Sequence, residues 1–186
     1  MDEKHTDYPI NSLILNRWSP RSMTGEPLTD AELMPLFEAA RWAPSAFNEQ
    51  PWRFIYAKRD TPEWTPLFDL LVDFNKGWCV HAACLVLFIS SRSFAKNGKP
   101  SPTHEFDTGA AWMNLCLEAS YQGLVAHGMS GFDYEKARKT LNIPEEYTIL
   151  AMCAIGKRDV EKEKTEKPST RKPLQELLMH GSFQRT

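Results

Sequence analysis

Apolar and polar positions alternate along this chain with two periods, one helical and one strand-like. Residues 28–43, LTDAELMPLFEAARWA, place Leu33, Leu36, Phe37 and Ala40 on one face, the spacing of an amphipathic helix. Thr29 and Glu32 have the spacing of a capping box, T-x-x-E, which predicts where this helix starts. Pro35 lies inside the pattern and removes a helical hydrogen bond, so the first turn is expected to be strained. The helix is expected to stop before Pro44, because a residue ahead of proline avoids the helical region. Upstream, residues 1–10 read as a loose arm, and a short helix is expected over Ser12–Asn16.

Past Pro51 the pattern changes. Arg53 to Lys58 alternates around Phe54 and Tyr56 and predicts a strand. Leu67, Leu70, Leu71 and Phe74 predict a helix ending near Asn75, and the unbroken apolar run Cys84–Ser90 predicts a buried strand. Residues 91–102 read as a polar loop. Residues 107–122, DTGAAWMNLCLEASYQ, are apolar nearly all round, so this helix should cross the middle of the fold. A short strand at residues 123–126, a turn over Gly128–Gly131 and a helix capped by Asp133 follow. Thr148–Ile155 predicts another buried strand. Residues 157–170 read as a charged linker with no core positions, leading to a last short helix opened by Pro173 and closed by Gly181. With no repeats and with helices and strands interspersed, an α+β layer fold of one domain over residues 1–186 is expected. The segment beyond the linker leaves its own domain and is expected to pack on a partner subunit.

Composition narrows the function classes. Hydrophobic residues make up 42% and charged residues 25% of the chain, an ordinary globular balance with enough apolar material for a core. The formal charge of -2 gives no reason to expect nucleic acid or an anionic membrane as partner. The polar start MDEKHTDYP does not read as a signal peptide, and the apolar run at residues 79–89 is shorter than the roughly 20 residues a membrane helix needs. The cytoplasm is the expected location. Cys79, Cys84, Cys116 and Cys153 form no CxxC pair and read as buried thiols, and the five histidines form no HxxxH or HExxH, so no metal site is expected.

Polar groups that could hold a ligand are scattered. Arg17-x-Ser19-x-Arg21 sets two guanidinium groups and a hydroxyl on one side of an extended segment, a grip suited to phosphate, or else a solvated turn. Arg171 is a second candidate anion binder, with simple solvation the other reading. Asn75 either caps its helix or bonds a planar heterocycle. Gly128–Asp133 either presents backbone N–H groups ahead of a helix or only connects. No G-x-S-x-G, P-loop or G-x-G-x-x-G occurs. Many polar hooks and no evident nucleophile point to a bound cofactor that carries the reactivity.

Taken together, these pieces resemble the nitroreductase family of FMN-dependent enzymes. Arg17-Trp18-Ser19-Pro20-Arg21 is similar to the family's R-x-S-x-[RK] element, and residues 43–52, APSAFNEQPW, to its APS-x-x-N-x-QPW loop. Asn75 before a buried strand, Asp107-Thr108-Gly109, Gly131-Phe132-Asp133 and Arg171-Lys172-Pro173-Leu174 match further elements in order. The resemblance implies a mainly antiparallel sheet flanked by helices, an intertwined homodimer, and FMN at the dimer interface. Arg17, Ser19 and Arg171 would hold the phosphate and ribityl chain, Arg21 would stand near N1 and O2, and Asn75 would bond the pyrimidine edge. Ser45, Ala46 and Asn48 would come from the partner subunit, and Ser130 and Gly131 would face N5 and O4. Trp18, Pro44, Gln50 and Met129 complete the implied surroundings. NADH or NADPH would be the donor, and a nitroaromatic, quinone or similar small molecule the acceptor, in ping-pong order. A flavin-sequestering protein, or a flavin-consuming or dehalogenating relative, is the alternative. Two departures stand out: Lys76-Gly77-Trp78 replaces a pattern with lysine three or four residues after the asparagine, and Ser130 stands where some relatives carry glutamate. No large lid is inserted, so residues 91–106 are expected to select the substrate.

Overall fold

The computed structural model describes Lys4 and residues 6–183. Much of the expected N-terminal arm (residues 1–3 and 5) therefore lies outside the described residues. Four strands, β1 (Trp52–Lys58), β2 (Cys84–Ser91), β3 (Leu124–Met129) and β4 (Tyr147–Lys157), form one sheet in the order β1-β2-β4-β3, with every neighbouring pair antiparallel. The helices are α1 (Ser12–Asn16), α2 (Asp30–Arg41), α3 (Trp64–Phe68), α4 (Asp73–Cys79), α5 (His104–Tyr121), α6 (Tyr134–Thr140) and α7 (Val160–Glu163). The α+β class with a mainly antiparallel sheet is thus observed.

Period-two alternation explains why β2 reads as a continuous apolar run. Cys84, Val86 and Phe88 pack toward Leu33, Leu36 and Ala40 of α2 and Ala111 and Leu115 of α5. Leu85, Leu87 and Ile89 face the other way, onto Leu67, Leu70, Phe132 and Ala137. Both faces are covered, so both sets must be apolar. Each fully buried leucine contributes roughly 1.5–3 kcal/mol.

Several boundaries differ from the periodicity. Pro35 sits within α2 without breaking it. The Thr29–Glu32 capping box forms in both directions, and the buried Leu33, Leu36 and Ala40 hold the helix on either side of the proline. The single helix expected through Asn75 is two helices, because Leu71 bridges Phe132 and the Val72 N–H donates to Gly131 O at 3.1 Å. Asn75 therefore lies in the first turn of α4, not at a helix end. β3 runs on through Gly128 and Met129, where a turn was expected. A Cβ at Gly128 would stand 2.6 Å from Trp112 Cζ2, so the glycine is what lets the indole lie on the strand.

α5 does not cross the middle of the fold wrapped on all sides. Ala111, Leu115, Cys116 and Ala119 are buried, while Phe106 and Tyr121 are 81% and 77% exposed. Its start, three residues before the expected one, is tied to β2 by His104 Nδ1, which hydrogen-bonds Ser90 Oγ at 2.7 Å. At the other end of the chain, the predicted last helix is reduced to one 3-10 turn, Leu174–Glu176. Leu177 and Leu178 are exposed there, and a helix this short does not hold without packing. All four cysteines are free and buried, as their apolar neighbours implied.

Candidate functional site

Arg17 leaves α1 in an extended conformation, so Arg17 and Ser19 point the same way, and Arg17 Nη1 donates to Ser19 Oγ at 3.2 Å. Lys4 holds the end of α1 from the other side, its ammonium donating to Leu15 O at 2.6 Å and Asn16 O at 3.1 Å. Burial, aided by the charges of Arg17, Arg171 and Arg158, holds the Lys4 pKa below the usual lysine value. The charge of the tail residue Arg171 is thus felt at Lys4, at the end of α1. Like charges gathered at one place repel, and an anion placed among them relieves the repulsion. Arg171 is exposed, with Nη1 turned back onto Ser169 O at 2.9 Å.

Next to this cationic knot stands a set of amide and ring groups. The Arg21 guanidinium lies over the Phe74 ring, 5.0 Å from its centroid. The following residue, Asn75, is buried; its Nδ2 donates to Gly131 O at 2.9 Å and its Oδ1 accepts from Trp78 Nε1 at 3.3 Å. The Trp78 and His127 ring centroids are 4.6 Å apart. His127 Nδ1 is 3.0 Å from Pro20 O, and a carbonyl only accepts, so this nitrogen carries the proton. Burial keeps the His127 pKa below its usual value, with the Arg21 charge adding to the effect and the hydrogen bond to Pro20 opposing it. The chain Pro20–His127–Trp78–Asn75–Gly131 thus joins the arginine element, α4 and β3. Gly131 is required by close approach, since a Cβ there would meet Asn75 Nδ2 at 2.7 Å. Ser130 is exposed beside it. The Met129 side chain is committed to the core, where the Cys79 thiol lies 3.8 Å from its sulfur, so only its backbone remains for a ligand. Trp18 is half-buried.

The loop 44–50 is built differently. Ser45 Oγ accepts the Gln50 N–H at 2.9 Å, closing a 3-10 turn over Ala46–Asn48. Phe47, Asn48 and Gln50 have φ of 53°, 57° and 51°, the left-handed region that non-glycine residues avoid. Gln50 Nε2 folds back onto Asn48 O at 3.0 Å, and Pro44 is exposed. The buried Asp107 accepts from Ala46 N at 3.1 Å and Thr103 Oγ1 at 3.2 Å, and Glu49 accepts from Ala95 N at 2.6 Å. Beyond its own residues, this loop hydrogen-bonds to α5, to the 92–99 loop and to Arg53, and none of these bonds reaches Arg17, Arg21, Asn75 or Gly131. One chain therefore links Arg17, Ser19, Arg21, Asn75 and Gly131, with Ser130 alongside and the Arg171 charge felt at Lys4, while Pro44, Ser45, Ala46, Asn48 and Gln50 make no hydrogen bond to these residues. An open groove of about 800 Å³ lies elsewhere, along α2 and β1 between Met34, Phe37, Arg53 and Phe54.

Sequence reasoning missed Trp78, His127 and Lys4. Trp78 had a signal: it is three residues beyond Asn75, the spacing of helical neighbours, once α4 is recognised to continue. The others take their positions from contacts between distant segments, which no local spacing announces.

Known proteins share this fold. A solved oxidoreductase containing FMN is 36% identical over 100% of this chain and 98% of its own, with a TM-score of 0.91. A Desulfovibrio desulfuricans protein solved in complex with FMN is 26% identical, covering 96% of this chain and 100% of its own, with a TM-score of 0.75. A Streptomyces coelicolor protein with the provisional name NADH dehydrogenase/NAD(P)H nitroreductase is 26% identical over 159 residues, 73% of this chain and 78% of the relative. The nitroreductase family model matches residues 14–76 and 62–157, which span the arginine element, the 44–50 loop, Asn75 and the Gly131 turn. With a family model matching most of its length and solved relatives sharing its fold, this chain belongs to the nitroreductase family.

Proposed function

We propose that this protein is an FMN-dependent oxidoreductase that acts as a homodimer, taking reducing equivalents from NADH or NADPH and passing them to a nitroaromatic, quinone or similar acceptor. The observation that carries the reading is the adjacency of a cationic knot (Arg17, Ser19, Arg171) and an amide-lined surface (Arg21, Asn75, Gly131). A phosphate at one end and a planar heterocycle at the other is the ligand chemistry this pair fits. The Asn75 amide has two donors and two acceptor sites; Gly131 O takes one donor and Trp78 fills one acceptor. One N–H and one lone pair remain, the complement of the alternating donors and acceptors on a pyrimidine edge.

The residues have separable roles in this reading. Arg17, Ser19 and Arg171 anchor the phosphate through charge-assisted hydrogen bonds, each worth about 1.5–3 kcal/mol. Arg21 stands as a fixed cation where negative charge develops on the ring, needing no reorganisation to stabilise it. Ser130 and Gly131 set the ring's orientation. FMN, when bound, supplies the two-electron chemistry between the nicotinamide donor and the acceptor. Donor and acceptor occupy the same face in turn, so no separate dinucleotide fold is needed.

The second subunit supplies the 44–50 loop, which makes no hydrogen bond to the cluster of its own chain. The exposed aromatic groups Trp42, Phe47, Phe106 and Tyr121 and the apolar tail residues Leu177 and Leu178 are the surface such a partner covers. The single domain of residues 1–186, its 157–170 segment leading to a tail packed on the partner, is part of the same proposal. In this reading the enzyme works in the cytoplasm.

The test is direct. Purified protein should be yellow, release FMN on denaturation and run as a dimer. NAD(P)H oxidation with varied acceptor should give parallel double-reciprocal lines. A colourless monomer that refuses added FMN overturns the reading; bound FMN without NAD(P)H oxidation replaces it with a sequestering role.

A further inference from the structure

We propose that Glu166 is a positioning residue for the phosphate grip: its carboxylate straps the C-terminal segment onto the arginine element and thereby sets where Arg171 stands. The inference rests on the phosphate reading above. Glu166 Oε1 accepts from Arg21 N–H at 3.0 Å, Ser22 N–H at 2.8 Å and the Ser22 hydroxyl at 2.5 Å, and Oε2 lies 2.9 Å from Arg21 N. Three donors from two consecutive residues thus converge on one carboxylate. Partial burial alone would raise its pKa, but these hydrogen bonds and the Arg21 charge together hold it below the usual value.

Other contacts join the same two segments. The Thr24 N–H donates to Lys157 O at 3.0 Å and the Asp159 N–H to Ser22 O at 3.3 Å, while Arg158 is ion-paired with Glu163. The charged stretch after β4 therefore lies along residues 21–24, and Glu166 bonds the two residues next to the grip itself. Arg171 follows five residues later, a reach of at most about 17 Å for extended chain. The Arg171 charge is felt at Lys4, whose ammonium is 3.5 Å from Arg17 O. The stretch after β4 bonds residues 21–24 at several points, and the Glu166 contact is the one that holds the residues nearest Arg17 and Ser19. Without it, Arg171 must be ordered at the moment a ligand binds, which weakens binding of phosphate and leaves the ring contacts alone.

The experiment uses the full-length protein and two ligands, FMN and riboflavin, which lacks the phosphate. Glu166→Ala is expected to weaken FMN about tenfold, or about 1.4 kcal/mol, with riboflavin affinity unchanged. Glu166→Gln keeps an oxygen for the N–H donors but loses the charge, so it should fall between wild type and Glu166→Ala. On an Arg171→Ala background, Glu166→Ala should add no further loss, since both changes remove one interaction. Equal weakening of both flavins, no weakening of either, or additive losses overturns the proposal while leaving the phosphate reading in place. Wild-type protein that fails to prefer FMN over riboflavin overturns the phosphate reading, and this proposal with it.

Discussion

The cluster around Asn75 and the loop 44–50 are two ways of making a binding surface. The cluster is assembled from distant segments, and its polar groups are held across them: Asn75 by Gly131, Pro20 by His127. The loop is made within seven residues and carries three non-glycine residues at positive φ, at roughly 1–2 kcal/mol each. Strain of that size persists only where surroundings over-determine the shape, and Asp107 and Glu49 provide the external ties. The cluster thus depends on the whole fold, whereas the loop is finished locally and presents its groups outward. A pocket completed by the loop of a second copy needs this division.

The comparison can be broken at the cluster or at the loop. The largest effect is expected from Gly131→Val, whose side chain would enter space occupied by Asn75 and by Val72, 3.1 Å from the new Cβ. A loss of about 3 kcal/mol in stability should appear in denaturant melts, along with loss of FMN retention. Arg17→Ala should cost about 2 kcal/mol in FMN affinity and spare riboflavin, as isothermal titration of both ligands would reveal. On the loop side, Asp107→Ala strands the Ala46 N–H and the Thr103 hydroxyl and should destabilise by about 1.5 kcal/mol. If the loop serves a second copy, that variant should also make FMN affinity more dependent on protein concentration, which dilution series would show. Arg21→Ala should lower the flavin midpoint potential by roughly 30 mV, equivalent to about 1.4 kcal/mol for two electrons; an unchanged potential removes Arg21 from the tuning role.

The smallest expected effect is on pH dependence. The Glu166 pKa is lowered below the ordinary 4.5, so its contribution is complete above that value and declines as pH falls through the folded pKa. Glu166 should therefore add no pH dependence to FMN affinity above that value, and the part of any decline at lower pH that Glu166 causes should be absent in Glu166→Gln. His127 also feels both Arg21 and Glu166, so a dependence that persists in Glu166→Gln belongs to another group, the imidazole or the FMN phosphate.

Much of the fold was readable because its signals are local. The Thr29–Glu32 capping box, the β2 run and the Asp133 cap each depend on spacing within a few residues, and each stands where expected. The errors came where a distant segment intervened. Leu71 pairs with Phe132 and splits one expected helix into two. Trp112 lies over Gly128 and lets a strand continue where glycine had signalled a turn. The tail segment has helical spacing but little of its own chain to pack on, so its apolar residues stay exposed and only a 3-10 turn forms.

The sequence by itself determined the elements, their buried faces and the inventory of arginine, amide and hydroxyl groups, because periodicity, capping and proline geometry act within one or two turns of chain. Tertiary structure alone decided that Asn75 rests on Gly131, that His127 holds Pro20, that the Arg171 charge is felt at Lys4, and that Glu166 fastens the stretch after β4 to Arg21 and Ser22. Those contacts join residues separated by tens to more than a hundred positions, and packing of the two sheet faces, rather than any local preference, brings them within bonding distance.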